Sequence, residues 1–193
     1  MRHRVFIAIN LPAEVKEKLS SYQFRWPELP ARWTKKENLH ITLLFLGYVR
    51  DEELLGIFET VKEAASKNRP FLINLKKICY GPTDKKPPRM VWAEGEKSSE
   101  LAKLQSDLEE KLLGNFTQHR SEVSGAGRAF SPHITLARLK LWEFRKMEPE
   151  ERPEISQELS LSFEVDSIEI MESYLKPKGP DYFILESATI GEK

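Results

Sequence analysis

The sequence predicts an α+β fold built as two pseudo-symmetric lobes, each an antiparallel or mixed sheet with helices outside. Three observations predict it. Strand-period and helix-period apolar segments are mixed along the 193 residues. No GxGxxG and no P-loop marks either nucleotide-binding fold. The tetrapeptide HITL occurs twice, at His40–Leu43 and His133–Leu136, each time after a helix and a loop, which is the signature of a duplicated unit whose two copies face each other.

The elements follow in order. Arg4–Pro12 (RVFIAINLP) is apolar and β-rich and reads as a buried strand stopped by Pro12. Ala13–Tyr22 has helical spacing, with Val15 and Leu19 on one face. A Pro-rich loop, WPELPARWTKKENLH, leads to the strand His40–Leu46, which Gly47 is expected to close. Asp51–Asn68 reads as a helix with acids in its first turn and bases towards its end, matching the macrodipole. Phe71–Cys79 is a strand, Gly81–Arg89 a loop, and Met90–Ala93 a short strand. Ser98–Leu113 is an amphipathic helix with Leu101, Leu104, Leu108 and Leu112 in register. The loop SGAGRAFSP precedes the strand His133–Leu139. Met147–Pro153 reads as an exposed acidic linker, and the strands Leu161–Ser173 and Tyr182–Ile190 are joined through LKPKGPD.

Composition bounds the function. Hydrophobic residues are 40% and charged residues 31% of the chain, ordinary for a soluble globular protein. No stretch approaches the roughly 20 apolar residues of a membrane span, and the N-terminus reads as a first strand. Cys79 is the only cysteine, which excludes a disulfide framework and zinc-finger patterns and fits a reducing cytoplasm. Net charge is zero, but residues 1–50 carry nine Lys/Arg against four Asp/Glu, and residues 144–193 carry six against twelve. A broad electrostatic grip on a duplex is not expected from that balance, whereas a small basic patch touching a few phosphates is.

The chemistry lies in the repeated motif. His-x-Thr arises by chance on the order of once per thousand positions, so two copies with identical neighbours among four histidines demand an explanation. In a strand, residues i and i+2 share a face. His40 and Thr42 therefore point one way and Ile41 and Leu43 the other, and His133 and Thr135 are backed by Ile134 and Leu136 in the same manner. Two strands meeting across a pseudo-twofold would bring two imidazoles and two hydroxyls to one point. An imidazole titrates near pH 6.5, so one ring can give a proton while the other takes one. Threonine hydroxyls can donate to phosphate oxygens. A strained cyclic phosphodiester suits this set, with water attacking phosphorus and a ring oxygen leaving. Neither a metal nor a covalent enzyme nucleophile is required, and no cofactor is expected.

The chain resembles the two-histidine (2H) phosphoesterase superfamily. Within it, the chain is similar to the bacterial and archaeal RNA 2′,3′-cyclic phosphodiesterases, formerly called 2′-5′ RNA ligases. The matching stretches are RVFIAINLP, LHITLLFLG, RMVWAEG and FSPHITLAR, and the similarity spans nearly the whole chain, which is taken as a single domain of two intertwined lobes over residues 1–193. The resemblance implies a bilobal fold with a central cleft and hydrolysis of a 2′,3′-cyclic phosphate to a 2′-phosphate. It implies His40 as proton donor, His133 as proton acceptor, and Thr42, Thr135 and Arg138 as phosphate ligands. Spacing alone does not order the histidine pair.

Other residues admit two readings. Arg138 can neutralise a phosphate, yet strict alternation puts it opposite His133, so a bulge or a strand end has to re-aim it. Phe45 and Phe130 can stack on a base, although parity turns Phe45 towards the core. Trp92 reads as core or as a base platform. The loop Asp84–Arg89 can clamp an RNA backbone or be a solvated loop. Arg128, between Gly125, Gly127 and the second motif, can approach a phosphate or form a plain turn. Tyr174 and Lys176 are candidates for a cleft rim. His3 and His119 lack a threonine at i+2 and are read as surface residues. The partner expected is an RNA with a cyclic phosphate end or a small cyclic nucleotide, handled by a monomer without a membrane. The competing functions are a 2′-5′ RNA ligase running the same site backwards, a binding module without turnover, and a phosphodiesterase for small substrates. A zinc hydrolase has neither HExxH nor a cysteine cluster to support it.

Overall fold

Nine strands and four α-helices succeed one another among the residues that the computed structural model describes: 1–82, 86–115, 130–177 and 179–191. The strands are β1 (Arg2–Asn10), β2 (Ala31–Trp33), β3 (His40–Arg50), β4 (Phe71–Gly81), β5 (Met90–Gly95), β6 (His133–Leu139), β7 (Ser156–Val165), β8 (Ser167–Tyr174) and β9 (Asp181–Thr189). The helices are α1 (Ala13–Ser21), α2 (Asp51–Ser66), α3 (Ser99–Asn115) and α4 (Leu141–Lys146). All pairings are antiparallel, in the order β7-β4-β5-β6-β3-β1-β8-β9, with β2 added beside β6. The fold is therefore α+β, as expected. The path is one continuous sheet whose two four-stranded halves touch through a single register pair, Ile41 opposite Ile134.

The helices follow from their apolar stripes. On α3, Leu101, Leu104, Leu108 and Leu112 are all buried, and the Leu101 amide donates to Ser98 Oγ at 3.1 Å to cap the first turn. Helix α2 buries Ile57, Val61, Ala64 and Ala65 and is closed at its start by Glu53, which accepts the Arg50 amide at 2.9 Å. Helix α1 buries Val15 and Leu19. α2 and α3 pack on each other and on β3. Strand β1 is buried from Val5 to Ile9 on both faces: Val5, Ile7 and Ile9 enter the main core, whereas Phe6 and Ala8 join Met171 and Tyr182 on the opposite face. That two-sided burial is why its sequence is unbroken apolar rather than alternating.

The structure corrects several boundaries. Leu161–Ser173 is not one strand: the chain breaks at Asp166, so that β7 pairs with β4 and β8 with β1, in different halves of the sheet. An apolar-alternating run carries no mark of which neighbour each part pairs with. Gly47 does not close its strand, because β3 runs on to Arg50. Gly47 instead has φ 75° next to the extra residue Leu46, which β1 skips between Phe45 and Gly47, a bulge that glycine accommodates. β2 lies inside the expected Pro-rich loop and α4 just before the linker, both too short for a periodic signal. No helix among the described residues is long and apolar enough to cross a membrane.

Candidate active site

Strands β3 and β6 begin with the same four residues and show the same alternation of burial over their first seven positions. Ile41 and Ile134, both fully buried, form the register pair that joins the sheet halves. His40 and Thr42 flank Ile41 on β3, and His133 and Thr135 flank Ile134 on β6. The two motifs are close enough for the charge of His133 to be felt at His40. All four side chains line one cavity of about 690 Å³. The two copies of the motif thus flank the Ile41–Ile134 pair.

Each imidazole is oriented by the backbone two residues before it. His40 Nδ1 donates to the Asn38 carbonyl at 2.7 Å, and His133 Nδ1 donates to the Ser131 carbonyl at 2.8 Å. A carbonyl only accepts, so Nδ1 carries the hydrogen in both rings and Nε2 is the working nitrogen. In the neutral ring, His40 Nε2 accepts from the Thr42 hydroxyl at 3.0 Å. Asn38 is itself buried and donates through Nδ2 to the Pro180 carbonyl at 2.7 Å, which ties the β8–β9 connection to the first motif. Asn38 and Ser131 were not singled out from sequence. The signal was there, a residue at i−2 before each motif, but a backbone acceptor leaves no preference for a side-chain type.

Aromatic rings enclose the pair. Phe6 lies 5.1 Å from His40, and Tyr182 meets it edge-on at 5.2 Å. Trp92 stacks on His133 at 3.9 Å and 24°. The other side of the indole lies on Gly81, where an added Cβ would come within 2.2 Å of the ring. Trp92 is therefore neither plain core nor open base platform, since both faces are taken. Its Nε1 is a buried donor with no partner among the described residues. Burial is the main cause that pushes the His40 pKa down to about 4, helped by the charges of Lys16, His133 and Arg138 and opposed by the Asn38 carbonyl. His133 is lowered as well, by burial first and then by Arg138, against the Ser131 carbonyl and Glu94.

The required bulge exists in both motif strands, at the same place. β1 pairs with Thr42 and then Leu44, skipping Leu43, and β5 pairs with Thr135 and then Ala137, skipping Leu136. The extra residue inverts the alternation beyond it. Arg138 and Phe45, sixth in their strands, are thereby turned to the cavity. Phe45 is 38% exposed, which overturns its expected core orientation. Arg138 and Thr135 both contact the Met90 sulfur, at 3.5 and 3.9 Å. Phe130 lines the cavity while packing against the core. Tyr174 is 47% exposed, and Lys176 is ion-paired with Asp181 at 2.5 Å. Arg89 is exposed. Arg128, Gly125, Gly127 and His119 lie outside the described residues, as does part of the Asp84–Arg89 loop.

His3 departs from its surface reading. Its side chain is only 15% exposed and is held between Glu172, 2.7 Å from Nδ1, and Asp51, 2.6 Å from Nε2. Those partners lie 48 and 169 residues away, beyond any local pattern. Among the described residues no three His, Cys, Asp or Glu side chains group to hold a metal ion.

Residues 9–92 match the family model described as LigT like phosphoesterase. The chain is 34% identical to an RNA 2′,3′-cyclic phosphodiesterase of Thermus thermophilus, over 97% of this chain and 90% of that one. It is 30% identical to an RNA 2′,3′-cyclic phosphodiesterase of Methanocaldococcus jannaschii, over 95% and 98%. Among solved structures it is similar to TT0787 of Thermus thermophilus, with a TM-score of 0.84 and 30% identity over 97% of this chain and 98% of that one.

Proposed function

The chain belongs to the LigT-like phosphoesterases of the two-histidine superfamily, and from that premise we propose that it hydrolyses 2′,3′-cyclic phosphate ends of RNA to 2′-phosphomonoesters by metal-independent acid–base catalysis. One observation carries the reading: two His-x-Thr pairs, flanking the Ile41–Ile134 pair, line one cavity with both Nδ1 atoms tied to backbone carbonyls.

The order of the pair, His40 as donor and His133 as acceptor, is the one the family resemblance implies. His133 Nε2 removes a proton from water, whose oxygen attacks phosphorus. The bond from phosphorus to O3′ breaks, and His40 Nε2–H delivers its proton to the departing O3′. The product is a 2′-phosphate with a free 3′-hydroxyl, and each histidine is restored by proton exchange with solvent. Thr42 and Thr135 hydroxyls donate to the non-bridging oxygens, and the Arg138 guanidinium offsets their charge. Phe45 and Phe130 offer apolar surface to the terminal base. Burial keeps His40 neutral in the free enzyme, so the donor has to be charged by the substrate: a phosphodiester anion beside the ring favours the imidazolium. We take residues 1–193 as one catalytic domain acting in the cytoplasm as a monomer.

The test uses an oligonucleotide ending in a 2′,3′-cyclic phosphate, with excess EDTA throughout. The expected result is undiminished turnover to a 2′-phosphomonoester. Turnover abolished by EDTA and restored by a divalent cation overturns metal independence, and binding without turnover overturns the enzymatic reading.

A further inference from the structure

Two arginines face one another without an acid between them. β2 pairs with β6 so that Arg32 stands directly opposite Arg138. Like charges across a ladder repel, and both side chains line the same cavity. Among the described residues neither guanidinium has a carboxylate partner. Nearby positive charges are treated differently, since Lys35 and Lys176 both bind Asp181, at 2.8 and 2.5 Å. The Arg32 guanidinium instead lies along the backbone of Gly179, where an added Cβ would stand 3.9 Å from Cζ. An exposed, unpaired guanidinium pair held by sheet register is a ready-made anion site, since planar N–H forks match phosphate oxygens.

The two arginines serve different distances from the imidazoles. At about 3.3 Å per residue, Arg138 and the opposed Arg32 begin roughly 13–16 Å along β6 from His133. The Arg138 charge is felt at His40, at His133 and at Tyr182, whereas that of Arg32 is felt at Tyr182, after those of Arg138 and Arg4, and at neither imidazole. Arg138 thus reaches back to the reacting phosphate, and Arg32 is left for another. The cavity, about 690 Å³, exceeds what one cyclic phosphate and its sugar fill.

We propose that Arg32 is a specificity residue binding the second phosphate from the RNA end, the internucleotide diester next to the cyclic phosphate, so that the site selects oligonucleotides over mononucleoside 2′,3′-cyclic phosphates. This rests on the cyclic-phosphate reading above. It adds a subsite that makes the length of the substrate, rather than its terminal base alone, a determinant of turnover.

The experiment compares kcat/KM for adenosine 2′,3′-cyclic phosphate and for a diadenosine bearing the same cyclic end, in the wild type, Arg32→Ala and Arg32→Lys. The wild type should prefer the dinucleotide by about tenfold or more, the share of one charge-assisted contact. Arg32→Ala should collapse that ratio, chiefly through KM, and Arg32→Lys should keep part of it. A dinucleotide whose internucleotide link is a neutral methylphosphonate should lose its advantage in the wild type and be indifferent to Arg32→Ala. An unchanged ratio in Arg32→Ala, or equal losses on both substrates, overturns the subsite while leaving the cyclic-phosphate reading intact. Failure of the wild type to hydrolyse either substrate overturns both.

Discussion

At the scale of the residue, the two imidazoles are alike in orientation and differ in surroundings. Each Nδ1 is fixed by a carbonyl at i−2, but His40 sits between Phe6 and Tyr182 while His133 lies against Trp92. Replacing His40 or His133 by Ala should lower kcat by about 10²–10⁴-fold, the contribution of one acid–base group. Near-normal turnover in steady-state assays of either variant would show that its ring is not catalytic. The pH behaviour has a definite sign. Burial lowers both rings below the ordinary 6.5, His40 to about 4, so as pH rises the free enzyme should lose the protonated donor already in acid solution. A bound anion favours the charged ring and raises its pKa. The limb of the kcat profile governed by His40 should therefore lie at higher pH than that of kcat/KM. An NMR titration of the His40 ring should show its pKa move upward when inorganic phosphate is added; no movement would mean that the anion does not sit beside the ring.

At the scale of the element, the same bulge in two strands does what neither sequence period could announce. Leu43 and Leu136 are the extra residues, and beyond them the outward and inward positions exchange. Strict alternation would have pointed Arg138 away from His133 and Phe45 into the core. The indole of Trp92 shows a second element-level dependence, on β4. Gly81 leaves no room for a Cβ, which would lie 2.2 Å from Trp92 Cδ2. Gly81→Ala should push the indole off Gly81 and disturb the ring of His133 stacked on its other face. Kinetics should then show kcat falling by about tenfold or more, with a smaller change in KM, because a mispositioned base costs more in the transition state than in binding. A variant with wild-type kcat would show that the stack with Trp92 does not orient His133.

At the scale of the whole molecule, contacts between distant segments hold the site together. The His3 imidazole joins β1 to Asp51 at the start of α2 and to Glu172 on β8. Hydrogen bonds that the ring donates to Asp51 and then to Glu172 raise its pKa above 6.5. A raised folded-state pKa stabilises the fold fully below pH 6.5, and that contribution is lost as pH rises through the folded value. The Tm should decline across that window in the wild type, and less so in His3→Gln, as followed by thermal unfolding at several pH values. The Ile41–Ile134 pair is the other joint. Ile134→Ala should cost about 2–4 kcal/mol in urea unfolding, because a fully buried side chain is removed where the sheet halves have no second register pair.

Sequence by itself determined the α+β class, the amphipathic stripes of α1 and α3, the repeated His-x-Thr motif and the face its residues share. These depend on periods of two and 3.6 within one segment, which local sterics enforce wherever the segment ends up. Only the tertiary structure decided the rest: the single Ile41–Ile134 pair that makes two motifs one site, the bulges that turn Phe45 and Arg138 inward, the split of one apolar run into β7 and β8, the packing of Trp92 between Gly81 and His133, and the opposition of Arg32 to Arg138. Each of these is a pairing between residues far apart in the chain. No local period specifies such a pairing; it is chosen by which buried surfaces fit when the whole sheet assembles.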